Sequence, residues 1–77
     1  MKTIEQFDDY LSKEIREFDQ AAEFGQKKGL TRYGTYAAGC RDVATIIRAV
    51  LRTSFLPDRV ESGEVIMAVV ATKRKNN

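Results

Sequence analysis

The stretch KKGLTRYGTYAAGCRD, residues 27–42, holds a helix stop, a helix start and three glycines. Lys27 and Lys28 sit where cations complement the partial negative charge of a helix C-terminus. Gly29 can take the left-handed conformation that ends a helix, and Leu30 supplies the apolar contact just beyond it. Thr31 is placed to cap a second helix. A stop and a start this close together make an antiparallel helical hairpin.

Upstream of the corner, Thr3 and Gln6 have the spacing of a capping box. Ile4, Phe7, Leu11, Ile15, Phe18 and Ala22 then recur in steps of three and four, the mark of one helix face. The first helix is expected over 3–28. Downstream, Tyr33, Ala37, Cys40, Ala44, Ile47 and Leu51 form a second stripe, and Val43, Ile46 and Val50 lie beside it. That combined face is wider than a single partner helix needs, so the second helix, expected over 31–55, should be covered on two sides. Pro57 disfavours helical geometry at Leu56 and ends it. A corner near 28–31 brings Phe18 to Cys40, Ala22 to Ala37, Ile15 to Ala44, Leu11 to Ile47 and Phe7 to Leu51, with large side chains facing small ones near the corner.

The segment after Pro57 has two readings. Asp58 and Glu61 resemble another capping box, which favours a third helix over 58–73. Ser62, Gly63 and the valine-rich EVIMAVVAT would also suit a strand paired between chains. In either form Val65, Ile66, Met67, Val69 and Val70 need an apolar surface, which the second face of helix two offers. The final KRKNN reads as a basic tail.

Composition bounds the rest. Seventy-seven residues make one small all-α domain near the lower limit for a self-sufficient core. One cysteine and no histidine leave no internal disulfide and almost no zinc ligands, so regular packing and self-association remain as sources of stability. The polar, acidic N-terminus has no signal-peptide pattern and no apolar run is long enough for a membrane span, so a cytoplasmic protein is expected. Charge is uneven: residues 1–25 hold seven acids and three bases, residues 26–77 ten bases and four acids.

Two constellations could bind an anion. At the corner, Lys28, Arg32, Thr35, Tyr36 and Arg41 could hold phosphates and stack on a base beside a helix N-terminus. Gly34 and Gly39, each costing about 1 kcal/mol relative to alanine inside a helix, imply close approach by a helix or a ligand. Packing is the favoured reading, because the glycine spacing fits neither a Walker loop nor a dinucleotide fingerprint. Along helix two, Arg41, Thr45, Arg48 and Arg52 share one face. That face could track phosphates, but pairing is favoured: Arg41 with Glu17, Arg48 with Asp9 and Arg52 with Glu5. Cys40 reads as core and Asp8 and Asp9 as pointing apart. No catalytic triad, metal set or cofactor motif appears, and no enzyme activity is expected. A helix-turn-helix starting at Ala21 and Gly25 fails, because Thr31 and Gly34 stand where it wants apolar residues.

The two capped helices around KKGLTRYGTYAAGCRDV, over residues 3–55, resemble the small all-helical accessory proteins encoded by bacteriophages. That class includes oligomeric sponges for cyclic nucleotide signals and inhibitors that cap a host enzyme. The resemblance implies a non-enzymatic role and assigns no binding residue. The leading expectation is a homo-oligomer that sequesters an anionic nucleotide, with Gly39, Val43, Ile46 and Val50 as its interface. A protein–protein inhibitor or adaptor acting on a host protein is the alternative. Nucleic-acid binding along the arginine stripe ranks last.

Overall fold

A computed structural model describes residues 3–75. Three α-helices and one short 3-10 turn follow in order: α1 (Ile4–Lys27), α2 (Thr31–Phe55), the turn (Pro57–Arg59) and α3 (Glu64–Lys75). There is no strand among the described residues, so the segment after Pro57 is helical.

The first helix forms where its local signals place it. Thr3 Oγ1 accepts from the Gln6 N–H at 3.1 Å, and Gln6 Oε1 accepts from the Thr3 N–H at 2.9 Å, so the capping box is complete. At the far end Gly29 has φ +73°. The Leu30 N–H reaches the Gly25 carbonyl at 2.8 Å and the Gly29 N–H reaches Gln26 at 3.4 Å, the pair of bonds that defines a Schellman stop. The second helix starts differently from expectation. Leu30 occupies the N-cap position without a side-chain bond, and Thr31 is the first helical residue rather than the cap.

The hairpin register is set by a backbone contact. A Cβ placed on Gly25 would lie 2.7 Å from the Gly34 nitrogen and 2.8 Å from its Cα. α1 and α2 therefore cross here with nothing between their main chains. Gly34 needs no ligand and no second subunit to account for it; Gly25 of the same chain is what approaches.

The third helix begins six residues later than Asp58. Pro57 starts a 3-10 turn, and Gly63 at φ +89° breaks the chain before Glu64. In place of the expected box of Asp58 with Glu61, the Glu64 carboxylate alone reaches back to accept from the Glu61 N–H at 2.7 Å. α3 packs on α2 and makes no close backbone approach to α1. Its buried residues are Glu64 and Ala68, with Met67 half-buried. Val65, Ile66, Val69 and Val70 face outward, against the expectation that α2 would cover them. The apolar core is small in consequence: Leu11, Ala37, Ala44, Ala49 and Ala68 are its fully buried members. Residues 76–77 of the basic tail lie outside the described residues.

Candidate functional site

The two seams of the α1–α2 hairpin differ in kind. One is lined by the arginine face of α2. Arg52, 7 % exposed, sends Nε to Asp8 Oδ1 at 2.8 Å and Nη2 to Asp8 Oδ2 at 3.2 Å. Asp8 is 1 % exposed and Glu64, on α3, is 4 % exposed. The same guanidinium reaches Glu64 at 3.5 Å and Glu61 at 3.3 Å through Nη1. Arg59 Nη1 bridges Asp8 at 2.9 Å and Asp9 at 3.0 Å, so these neighbouring acids, expected to point apart, share one cation. Arg48 donates to Ser12 Oγ at 3.0 Å, and its Nε lies 3.7 Å from Glu64.

Three arginines thus meet four carboxylates where α1, α2 and α3 converge. Burial pushes the Asp8 carboxyl up, but hydrogen bonds and charge from Arg52 and Arg59 outweigh it and hold the group below its ordinary value. The hydrogen bond to Asp8 holds Arg52 firmly protonated, with burial opposing and the Asp8 and Glu64 charges assisting. Arg41 follows the same pattern nearer the corner, with Nη1 on Asp19 at 2.8 Å and further bonds to Asp42 at 3.3 Å. Arg41 and Arg52 pair with acids of α1 as the sequence favours, whereas Arg48 meets the Ser12 hydroxyl on α1 and takes its carboxylate from Glu64 on α3; none of the three has its expected partner. Asp19, Ser12 and Asp8 replace Glu17, Asp9 and Glu5, two or three positions along, because the Gly25–Gly34 crossing fixes the register. No guanidinium of this stripe is left over for a phosphate track.

The anion-binding set is not gathered in one place. Thr35 and Arg41 line a shallow hollow of about 410 Å³ together with Asp19 and Glu23, whose charges oppose an anion. Tyr36 lies on the other seam. Lys28 and Arg32 stand exposed at the corner, where Tyr33 packs edge-on against Phe24 with ring centroids 6.4 Å apart, exposed and not on the core face.

That second seam is an open apolar groove of about 600 Å³. Tyr10, Leu11 and Phe18 of α1 form one wall, and Tyr36, Val43 and Ile47 of α2 form the other. Cys40 and Gly39 contribute to its floor and rim. Val43 is 57 % exposed and Tyr36 74 %. On α2, Arg52 lies about 180° around the helix from Val43, so the buried charges and the bare apolar surface occupy opposite faces. Of the residues expected at an interface, Gly39 and Val43 belong to this groove, and Ile46 and Val50 are exposed beside them. A Cβ on Gly39 would meet nothing within 4 Å. Glu14 is the groove's one carboxylate; it is half-buried and forms no hydrogen bond or ion pair among the described residues.

Sequence reasoning missed Asp8 and Glu64 as buried carboxylates around Arg52, the partly exposed Arg59 as a further partner of Asp8, and Glu14 as a lone charge in the groove. Asp8 carried a signal: it stands at the edge of the apolar stripe, one position from Phe7 and three from Leu11. No group of three or more metal-ligating side chains gathers among the described residues, and no described helix is long and apolar enough to cross a membrane. No family model matches the chain, and neither a characterised protein nor a solved structure matches it.

Proposed function

We propose that this chain is a small helical protein-interaction subunit of the cytoplasm, acting by apolar docking rather than by catalysis. The observation that carries the reading is the groove between α1 and α2, concave, open and lined almost wholly by apolar side chains. Exposed apolar side chains gathered on one concave surface are what a docking site offers a partner. The arginine stripe of α2 is taken up by carboxylates and Ser12 within the fold, which leaves docking as what the hairpin's open seam offers.

Substituting Val43→Asp puts a charge at an exposed helical position on the groove wall, where the fold tolerates it. Light scattering should show assembly abolished by Val43→Asp and unaffected by Lys28→Glu or Arg32→Glu at the corner. Equal behaviour of the groove and corner variants would reject the docking reading.

A second reading, sequestration of an anionic nucleotide, is supported by one observation. Lys27, Lys28 and Arg32 are exposed, form no ion pair among the described residues, and flank a first turn of α2 that holds no acid. Calorimetry against linear and cyclic nucleotides decides it. Heat that disappears in Arg32→Glu would support the second reading; silence across the panel would remove it. The style-level resemblance to phage accessory proteins would make the target, in either case, a bacterial host's protein or signal.

A further inference from the structure

We infer that the groove is filled by α3 of a second copy of this chain, with Ile66, Val69 and Val70 seated in it and Lys73 meeting Glu14. This rests on reading the groove as a docking site, and it names the occupant.

Three independent features of the molecule fit one another. The first is Glu14. A half-buried carboxylate with no partner, in a groove otherwise apolar, calls for an occupant that brings a cation among apolar side chains. The second is the outward face of α3. Ile66, Val69, Val70 and Lys73 fall at i, i+3, i+4 and i+7, one face of a helix, and all four are exposed, Ile66 by 71 %. That face is the pattern Glu14 asks for: apolar, with a single cation one turn beyond. The third is Gly39. Inside a helix a glycine costs about 1 kcal/mol relative to alanine, and here no contact within the chain offsets it. A second helix laid across the groove would approach closest where a side chain is missing.

Lengths agree as well. The stripe from Ile66 to Lys73 spans about 10 Å and the groove from Tyr36 to Ile47 about 16 Å at the helical rise. With Lys73 at Glu14, the valines and Ile66 lie over Val43, Gly39 and Tyr36. Because α3 and groove are different surfaces, each copy carries both halves of the contact, and repetition closes as a reciprocal dimer or a ring.

Sedimentation velocity on the full chain tests this. The wild type should assemble at micromolar concentration. Ile66→Asp and Val43→Asp, both at exposed positions, should each be folded by circular dichroism and weaken assembly by a hundredfold or more. Glu14→Lys and Lys73→Glu should each weaken it roughly tenfold, as loss and reversal of a partly desolvated ion pair would. The double variant Glu14→Lys with Lys73→Glu should recover wild-type assembly. Mixing Ile66→Asp with Val43→Asp should restore one contact and form heterodimers. A wild type that stays monomeric overturns the proposal. Assembly lost in Val43→Asp but indifferent to Ile66→Asp and to the charge exchange also overturns it, while leaving the groove as a docking site for another helix. Assembly indifferent to Val43→Asp overturns both.

Discussion

The two seams of one hairpin are finished in opposite ways. On one, Arg52 is enclosed with Asp8 and Glu64 beneath the start of α3, with Arg48 and the partly exposed Arg59 closing the cluster at its sides. On the other, Phe18, Tyr36, Val43 and Ile47 border an open groove. A small domain usually places these residue types the other way round. The difference separates two tasks. The charged seam orients three helices within a chain whose apolar core is mostly alanine. The apolar seam is left open, and is the surface that the proposed docking would cover.

The charged seam breaks most easily. Arg52→Ala leaves Asp8 and Glu64 buried without their shared cation, and should destabilise the fold by about 3–5 kcal/mol. A domain of this size has little more than that to lose. Urea denaturation should show the variant largely unfolded at 25 °C; a midpoint within error of wild type would mean the cluster contributes nothing.

Gly25→Ala comes next. Its Cβ would strike the backbone of Gly34, which cannot rotate away, so the helices must part. A loss of about 2 kcal/mol is expected from overpacking. Gly34→Ala meets Ala22 O at 3.3 Å and Gln26 N at 3.4 Å, and should cost less. If the two variants have equal thermal midpoints, the crossing does not set the register.

The response to pH separates the seams without mutation. Asp8 titrates below its ordinary value in the fold. Its contribution is therefore complete above the unfolded aspartate value, about 3.9, and is lost as pH falls below that toward the folded value. Stability against urea should lose no contribution from Asp8 between pH 8 and about pH 4.5, and decline below about pH 4. In Asp8→Asn that acid-side decline should be shallower.

The smallest effect has the opposite sign. Gly39→Ala adds a methyl group to open space in a helix interior, so the isolated protomer should gain up to about 1 kcal/mol. In the assembly that methyl intrudes on the occupant. A variant that melts higher when dilute and associates more weakly would sharpen the contrast between Gly39 and the Gly25–Gly34 pair. Stronger association would weaken it.

Much of the hairpin was legible in the sequence because its signals act over a few residues. The Thr3–Gln6 box and the Gly29–Leu30 stop each operate within one turn, and both form. The pairing of the arginine face with acids was legible from periodicity, but its register was not. Register follows from Gly25 against Gly34, two glycines that stand symmetrically about the corner, a relation no single-helix pattern displays. The start of α3 was misread because Asp58 and Glu61 imitate a cap, whereas Gly63 requires a left-handed break after them. The groove, and Glu14 within it, needed the helices in place. Periodicity marks Phe18, Cys40, Val43 and Ile47 as apolar, and cannot say which of them the chain leaves uncovered.

Cys40 offers the most direct measurement. It is the only thiol in the chain and lies in the groove. The rate constant for its modification by a maleimide should be high at nanomolar protein and fall at least tenfold by tens of micromolar, as the groove fills. Val43→Asp should react fast throughout. A wild-type rate constant unchanged over that range would contradict an occupied groove.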